Sequence, residues 1–262
     1  MMNNVSTLAY VNSNAQIGKD VIIEPFAYID DNVVIGDGCR IMSHSTVLSG
    51  ARLGKSCTVF PGAVVGGIPQ DLKFHGEETT AEIGDFTTIR ECATVNRGTA
   101  SKGKTVVGNN CLIMAYSHVA HDCVLGNHVI LGNACQIAGE VQIFDWAILS
   151  GGCLIHQFCR VGEHVIVQGG SRSPKDIPPY VTAGREPISF AGINLIGLRR
   201  RNFSPEQIQT IQECYRTIYQ SGLNFSQAVE RIEQNLEPSV ERDTVLNFLK
   251  TSQRGILRGF SD

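Results

Sequence analysis

Aliphatic residues recur at every sixth position over most of this 262-residue chain, and this repeat constrains the fold more than any other feature. The register runs through residues 11–65, returns at 83–95 and continues through 107–167. A glycine often follows the aliphatic residue, mostly at multiples of eighteen, which indicates that three six-residue segments make one structural turn. Each segment supplies one short strand and one tight corner, because strand side chains alternate between two faces and Gly, Asn and Asp favour turns.

Three strands per turn close a triangle, and stacked turns pair each strand with the strands above and below it. The predicted fold is therefore an all-β solenoid, a parallel β-helix of triangular section. It resembles the left-handed β-helix of the hexapeptide-repeat acyltransferases, and the left hand is taken from that resemblance. No helical periodicity appears before about residue 200, which disfavours an α/β fold.

The repeat lapses over residues 66–82 and 96–106 and resumes in phase after each lapse. A strand register that returns unchanged indicates an insertion, so both segments are predicted to be loops that leave the prism wall. Ordered loops on a rigid scaffold often bear functional residues. Both loops are therefore candidate parts of a site.

Helical signals begin after the last repeats. Ser204, followed by proline and, three residues on, by Gln207, forms a capping box that predicts a helix ending at Gly222. A second helix is predicted to start at Ser226 and a third after Pro238. We therefore predict a β-helix over residues 1–190 and a small C-terminal helical domain over residues 191–262, which covers the open end of the prism.

The overall charge and the cysteines exclude several classes of protein. A net charge of −3 gives no general reason to expect nucleic acid, and the basic run at residues 199–201 is the local candidate for anions. No apolar run approaches the roughly 20 residues of a membrane span, and no signal peptide is apparent, which predicts a cytoplasmic protein. Of the nine cysteines, seven share one small-residue slot of the repeat and no CxxC pair occurs, so they are predicted to pack the core and to bind no metal.

The segment at residues 114–124 places two histidines and a carboxylate on the repeat. Val119 belongs to the inward aliphatic set, so its neighbour His118 faces outward. His121 and Asp122 follow where the repeat turns, which puts imidazole and carboxylate on an accessible corner outside the core. A general base is useful at such a place.

Residues eighteen apart are predicted to stack on successive turns of the prism. Gly139 then lies directly above His121, and Glu140 lies above Asp122. The outward patch on this corner comprises His118, His121, Asp122, Glu140, His156 and Gln157. A base, an orienting carboxylate and a glycine N–H are the groups that acyl transfer requires.

Two alternatives use the same residues differently. The repeat also resembles that of β-helix carbonic anhydrases, in which three histidines from neighbouring subunits bind one ion, and His118, His121 and His156 are the candidate ligands. Two turns separate His156 from the others, about 10 Å, which is too far for one ion within one chain. A non-catalytic scaffold is the other alternative, and it accounts for neither the histidines nor the two loops.

Seven segments occur in an order that is similar to one family. They are GGIPQDLKFHGE, VNRGT, HVAHDC, IHQFC, DIPPY, NLIGLRRRNF and SQRGILR. Together they resemble the bacterial UDP-N-acetylglucosamine acyltransferases, the first enzymes of lipid A synthesis. The resemblance implies transfer of an (R)-3-hydroxyacyl chain from acyl carrier protein to the 3-hydroxyl of UDP-N-acetylglucosamine. It also implies a homotrimer with active sites between subunits, and no cofactor.

The resemblance assigns roles to individual residues. His121 falls on the general base, Asp122 on the group that orients it and Gly139 on the amide that stabilises the oxyanion. The implied substrate contacts are Gln70, Asp71, Lys73, His118, Glu140, His156, Gln157, Gly169, Asn194, Arg200 and Arg201. Those in the first loop, with His118, position the glucosamine, and the three beyond residue 190 hold the nucleotide or phosphate. His156 and Gln157 contact the acylated sugar, and Gly169 ends the groove for the acyl chain.

Overall fold

The computed structural model describes residues 4–259, in which the hexapeptide repeat forms the predicted left-handed parallel β-helix. Three sheets of 11, 9 and 8 strands form the faces of a triangular prism, and we name them sheets A, B and C in the order in which the chain visits them. The turns between them are the A–B, B–C and C–A corners. Every strand of the prism is parallel to its neighbours until the last strand of sheet A.

The strands are numbered β1 to β28 along the chain. Sheet A contains β1 (Asn4–Val5), β4 (Ile22–Ile23), β7 (Arg40–Ile41), β10 (Thr58–Val59), β13 (Thr88–Ile89), β16 (Leu112–Ile113), β19 (Ile130–Leu131), β22 (Ile148–Leu149), β25 (Ile166–Val167), β27 (Val181–Gly184) and β28 (Ser189–Ile193). Sheet B contains β2 (Tyr10–Val11), β5 (Tyr28–Ile29), β8 (Thr46–Val47), β11 (Val64–Gly67), β14 (Thr94–Asn96), β17 (His118–Val119), β20 (Gln136–Ile137), β23 (Leu154–Ile155) and β26 (Arg172–Ser173). Sheet C contains β3 (Gln16–Ile17), β6 (Val34–Ile35), β9 (Ala51–Leu53), β12 (Thr80–Ile83), β15 (Lys104–Val107), β18 (Val124–Leu125), β21 (Gln142–Ile143) and β24 (Arg160–Val161).

The repeat register is confirmed in the uninterrupted coils. His118 lies opposite Gln136, and Gln136 opposite Leu154, so residues eighteen apart stack on successive turns. The inward aliphatic residues from Ile23 onward are buried and form one continuous core, and Val11 and Ile17 of the first coil are partly buried against it. The seven repeat cysteines are buried and unpaired among them, as predicted for small packing residues: Cys39, Cys57, Cys111, Cys123, Cys135, Cys153 and Cys159.

Both interruptions are insertions at the B–C corner. Thr58 pairs with Thr88, thirty residues away, and Thr88 pairs with Leu112, twenty-four away, so whole six-residue segments are added and the phase survives. The first loop spans residues 68–79 and the second spans residues 97–103. Both are shorter than the predicted 66–82 and 96–106, because residues at their ends extend β11, β12, β14 and β15 and pair with neighbouring coils.

Beyond the prism, β28 runs antiparallel to β27 and leads into four helices. These are α1 (Leu195–Arg200), α2 (Pro205–Gln220), α3 (Phe225–Asn235) and α4 (Val240–Lys250). The capping box at Ser204 is confirmed, and Gly222 adopts φ +73° just after α2 ends. No helix among residues 4–259 combines the length and the apolar character that a membrane crossing needs.

Two details of the helical part differ from prediction. The predicted start at Ser226 is wrong, because Asn224 caps α3 through its own capping box with Gln227. The short helix α1 was not predicted, since six residues show too little periodicity. Strand β28 crosses residues 190 and 191, so the division of the chain there stays a prediction.

Candidate active site

A cavity of about 1180 Å³ lies against the outer face of sheet B. Segments 186–189 and 257–259, which follow the prism in the chain, form part of its wall. Of the residues predicted to contact substrate or to catalyse, the cavity lining includes Gln70, His118, His121, Gly139, His156 and Gln157. The structure thus gathers histidines from two coils and a residue of the first loop around one volume.

His121 and Asp122 form a hydrogen-bonded pair at the B–C corner. His121 Nδ1 lies 2.8 Å from Asp122 Oδ2, and the His121 side chain is 14% exposed. An ionised carboxylate can only accept, so Nδ1 holds the ring proton and Nε2 keeps a lone pair. Nε2 of His121 is therefore the basic atom that this pair offers to the cavity.

Asp122 itself is fully buried, which corrects its predicted place in an accessible patch. The second loop covers it: the Thr99 N–H donates to Oδ1 at 2.9 Å, the Thr99 hydroxyl to Oδ2 at 2.6 Å, and the Lys102 N–H to Oδ1 at 3.3 Å. Burial acts to raise the pKa of the Asp122 carboxyl, but the hydrogen bonds from Thr99 and His121 outweigh it and hold the pKa below its usual value. Asp122 is thus an ionised acceptor that cannot touch a ligand.

Gly139 lies directly over the His121 ring, as the eighteen-residue spacing predicted. A Cβ at this position would lie 2.6 Å from both Cε1 and Nε2 of His121. The glycine is required by this close approach, because no side chain fits between its backbone and the imidazole. Within residues 4–259 its N–H has no hydrogen-bond acceptor, so a donor remains available one coil above the base.

The other two histidines of the cavity are held differently. His118 Nδ1 lies 2.7 Å from the Thr94 hydroxyl, and burial, with a smaller contribution from the charge of His121, lowers the pKa of His118. His118 is therefore neutral near pH 7. His156 is exposed, with Nδ1 3.1 Å from the Gln157 carbonyl oxygen. Within residues 4–259 no group of three or more His, Cys, Asp or Glu side chains is arranged to hold a metal ion.

The first loop brings a second carboxylate near the base. Asp71 Oδ2 lies 3.8 Å from His121 Nε2, too far for a direct hydrogen bond. The Lys73 N–H donates to Asp71 Oδ1 at 2.9 Å and fixes the turn, while the Lys73 side chain is exposed and does not line the cavity. Asp71, rather than Lys73, is the loop residue that the structure brings to His121.

Glu140 does not join the predicted outward patch. Its carboxylate lies 3.5 Å from Lys102 Nζ and accepts a 3.2 Å hydrogen bond from the Ser101 hydroxyl. The side chain turns toward sheet C and the second loop, where Gln142 lies nearby, and away from sheet B. Glu140 therefore connects the second loop to the coil that lies two above it.

The predicted nucleotide residues lie at the C–A corner, away from His121 of the same chain. Asn194 is buried, caps α1 by accepting from the Gly197 N–H at 3.1 Å, and donates to the His164 carbonyl at 2.8 Å. Arg201 packs over the Trp146 ring at 5.1 Å and donates to the Trp146 carbonyl. Arg200 is exposed. Within one chain these groups and the His121 cavity are separate.

Gly169 lies at the A–B corner, in the turn between β25 and β26, and is exposed. It does not line the cavity of its own chain. The positive φ of this corner, +74°, belongs to the next residue, Gly170, so Gly169 is not needed for the turn. A Cβ on Gly169 would meet the Gly151 carbonyl oxygen at 3.1 Å, which leaves nearly enough room for a side chain.

Two threonines of the site were missed by the sequence analysis. Thr94 and Thr99 bind His118 and Asp122 respectively through their hydroxyls. Thr99 lies in the VNRGT segment at the start of the second lapse, and that lapse is the one signal in the sequence. The repeat has no rule for where an inserted loop folds, so the contact was not deducible from spacing.

Comparison with known proteins identifies one family. Residues 176–257 match a family model described as UDP N-acetylglucosamine O-acyltransferase, domain 2, and residues 14–49 and 104–139 match the bacterial transferase hexapeptide model. An acyl-(acyl-carrier-protein)–UDP-N-acetylglucosamine O-acyltransferase of Thermodesulfovibrio yellowstonii is 38% identical over 98% of this chain and 100% of its own length. The Halorhodospira halophila enzyme of the same name is 40% identical over 98% of this chain and 100% of its own length.

Solved structures lead to the same family. A UDP-N-acetylglucosamine acyltransferase from Bacteroides fragilis superposes with a TM-score of 0.96 at 57% identity, covering 97% of this chain and 100% of that one. The Francisella novicida enzyme gives a TM-score of 0.94 at 40% identity, with 97% and 94% of the two chains covered. With similarity over its whole length, the chain belongs to the UDP-N-acetylglucosamine O-acyltransferase family and is an acyltransferase.

Proposed function

We propose that this chain transfers an (R)-3-hydroxyacyl group from the thioester of acyl carrier protein to the 3-hydroxyl of UDP-N-acetylglucosamine, the first step of lipid A synthesis. The observation that carries the proposal is the His121–Asp122 pair, whose Nε2 edge meets the cavity while its Nδ1 is fixed by a buried carboxylate at 2.8 Å. The names of the relatives support the donor and the acceptor.

In this mechanism His121 acts as the general base. Nε2 takes the proton of the sugar hydroxyl as its oxygen attacks the thioester carbonyl carbon, and the negative charge of Asp122 stabilises the imidazolium that forms. The tetrahedral intermediate then breaks its C–S bond, and the imidazolium gives the proton to the leaving sulfur. One oxygen ester forms for each thioester consumed, and His121 returns to its starting state.

Gly139 is the proposed donor to the oxyanion. Its backbone is in contact with the imidazole edge and its N–H is unpaired within residues 4–259. A preorganised N–H near the reacting carbonyl stabilises developing negative charge, an effect usually worth about 10²–10³ in rate. The absence of a side chain at this position also lets the thioester carbonyl approach the backbone.

Asp71 is proposed to place the attacking hydroxyl. Its Oδ2 is 3.8 Å from His121 Nε2, and an oxygen placed between these atoms reaches both at ordinary hydrogen-bond distances of about 2.8 Å. His118, held by Thr94, faces the same space and is suited to orient the glucosamine. His156 and Gln157, two coils above His121, line the part of the cavity proposed for the acylated sugar.

A complete site is proposed to need a second copy of the chain. The nucleotide-binding candidates Asn194, Arg200 and Arg201 lie at the C–A corner, whereas His121 lies at the B–C corner, so one chain cannot bring both to one ligand. Sheet A offers a surface for assembly, because Leu112, Ile130, Ile148 and Ile166 point outward in one apolar column across four coils. Three copies packed through this column would form the homotrimer.

The proposal is tested by incubating the chain with UDP-N-acetylglucosamine and a series of (R)-3-hydroxyacyl carrier proteins, with products measured by mass spectrometry. The expected product has the mass of one hydroxyacyl ester. An acceptor that lacks the 3-hydroxyl is the control and should give none. Absence of product with every donor, or acylation of the 3-deoxy acceptor, contradicts the proposal.

A further inference from the structure

The second loop, residues 97–103, makes its most buried contacts with Asp122 rather than with the cavity. Thr99 is 8% exposed and directs both its N–H and its hydroxyl at the Asp122 carboxylate, at 2.9 and 2.6 Å. Oδ2, the oxygen that accepts from the Thr99 hydroxyl, also accepts from His121 Nδ1. One carboxylate oxygen therefore joins the loop to the imidazole.

We infer that Thr99 is a positioning residue for His121, acting through the buried Asp122 carboxylate. This inference rests on the proposed role of His121 as the base and adds a third member to the pair. The hydroxyl fixes Oδ2, while the N–H groups of Thr99 and Lys102 fix Oδ1, so neither oxygen is free to rotate. A carboxylate held in this way sets the tautomer and the direction of the imidazole that it binds.

The loop that carries Thr99 is itself anchored on both sides. On the outside, Glu140 contacts Ser101 and Lys102 at 3.2 and 3.5 Å. On the inside, where the loop continues into β15, the Thr105 hydroxyl accepts from the Asp122 N–H at 2.8 Å. The Glu140 contacts are partly exposed and contribute little on their own. The buried hydroxyl of Thr99 is therefore the contact whose loss should be felt at His121.

Removing this hydroxyl has a defined effect on protonation. The donor stabilises the negative charge of the unprotonated His121–Asp122 pair more than it stabilises the pair once a proton has been added. Its loss therefore raises the apparent pKa of the pair, whichever member holds the proton. The acid limb of the kcat/KM profile, which reports that pKa, should move to higher pH.

The test compares three variants with wild type: Thr99→Val, Thr99→Ser and Thr87→Val. Thr87 is a matched control because it is also a buried threonine that does not line the cavity. Its hydroxyl donates to the Gly108 carbonyl at 2.7 Å and accepts from the Cys111 N–H. For each protein the measurements are the melting temperature, kcat and KM for both substrates, and the pH profile of kcat/KM.

Thr99→Val should lower kcat about tenfold with both KM values within about twofold of wild type. The acid limb of its kcat/KM profile should move to higher pH by about half to one unit, because a hydrogen bond to a charged group is removed. Thr99→Ser should restore both quantities. Thr87→Val should lower the melting temperature and leave kcat and the acid limb unchanged.

A Thr99→Val enzyme with the wild-type kcat and acid limb, beside a His121→Ala enzyme that is inactive, overturns this inference alone. If His121→Ala is active, the proposed base is wrong and the inference fails with it. The same acid-limb shift in Thr87→Val would show that loosened packing, and not the contact with Asp122, moves the pKa. A Thr99→Ser enzyme whose acid limb stays at the pH found for Thr99→Val would also contradict the role of the hydroxyl.

Discussion

The B–C and C–A corners of the prism use the same turn for different purposes. Four residues occupy the same slot of the repeat, with φ between +56° and +63°: Asp122 at the B–C corner, and His128, Trp146 and His164 at the C–A corner. At the C–A corner this slot forms a stack, with ring centroids 3.8 Å apart for His128 and Trp146 and 6.3 Å for Trp146 and His164. At the B–C corner Asp122 has no such stack, because the second loop covers it instead.

The C–A corner repeats the same contacts from one coil to the next along the prism. Beside the ring stack, Asn109 donates its N–H to Asn127 Oδ1, and Asn127 donates its N–H to Asp145 Oδ1, each across one coil. Each of these side chains accepts from the backbone of the neighbouring coil, so the ladder contributes to the stability of this corner.

The B–C corner lacks this ladder where its two loops are inserted, and there the second loop hydrogen-bonds to Asp122 while the first loop brings Asp71 to 3.8 Å from His121. The repeat places Gly139 over His121 and His121 beside Asp122, and the two inserted loops add the contacts of Thr99 and Asp71 to this pair.

The largest contrast is expected when a histidine is removed from each corner. His121→Ala should lower kcat by about 10²–10⁴, because a positioned general base contributes that much, with only a small change in melting temperature. His128→Asn is the matched variant, since asparagine tolerates positive φ, and it should lose stability while keeping kcat. Steady-state kinetics and thermal melts measure both. An active His121→Ala would place the base elsewhere.

The glycine slots of two corners give the next contrast. Gly139→Ala should reduce kcat about 10²-fold, because a Cβ 2.6 Å from His121 Nε2 must displace the imidazole from its working position. Gly151 occupies the same slot at the A–B corner, where a Cβ would meet only a carbonyl oxygen at 3.1 Å, so Gly151→Ala should remain active. Equal activity of the two variants would show that the close approach at Gly139 has no catalytic consequence.

The B–C corner also shows how much of the fold and of the candidate site could be predicted from the sequence. The spacing of eighteen predicted that Gly139 lies over His121, because stacking follows from the repeat alone. It did not predict the burial of Asp122 or the turning away of Glu140, because both result from the fold of an inserted loop that obeys no period. The adjacency of His121 and Asp122 in the chain suggested their pairing, whereas Thr99 is twenty-three residues from Asp122 and gave no such sign.

A pH dependence of stability should belong to the C–A corner. Burial, with a smaller contribution from Arg201, lowers the pKa of His164 to about 4 from 6.5. The unfolded chain then binds more protons than the folded one between these values, so the free energy of unfolding should fall as pH decreases from about 6.5 to about 4. Thermal melts of wild type and His164→Asn across this range measure the effect. An identical pH dependence in both proteins would exclude His164 as its source.

The smallest expected effect concerns donor length at the A–B corner. Gly169 lies in the turn before β26, which is three coils above β17 on the same sheet as the cavity. From the family resemblance, the end of the acyl groove is predicted at Gly169. Because its φ is not positive and a Cβ meets only the Gly151 carbonyl at 3.1 Å, Gly169→Met should fold with a slight local shift.

In a groove left open by glycine, each further methylene of the donor is buried at about 0.8 kcal/mol, so wild type should prefer donors of roughly fourteen carbons or more over short ones. A methionine side chain would fill that volume, and Gly169→Met should shift the preference several-fold toward shorter donors while the best donor keeps a wild-type kcat. The measurement is kcat/KM of wild type and Gly169→Met with each hydroxyacyl carrier protein of the series. A uniform loss with every donor would show that Gly169 does not select donor length. An unchanged preference across the series would show that the acyl chain does not reach Gly169.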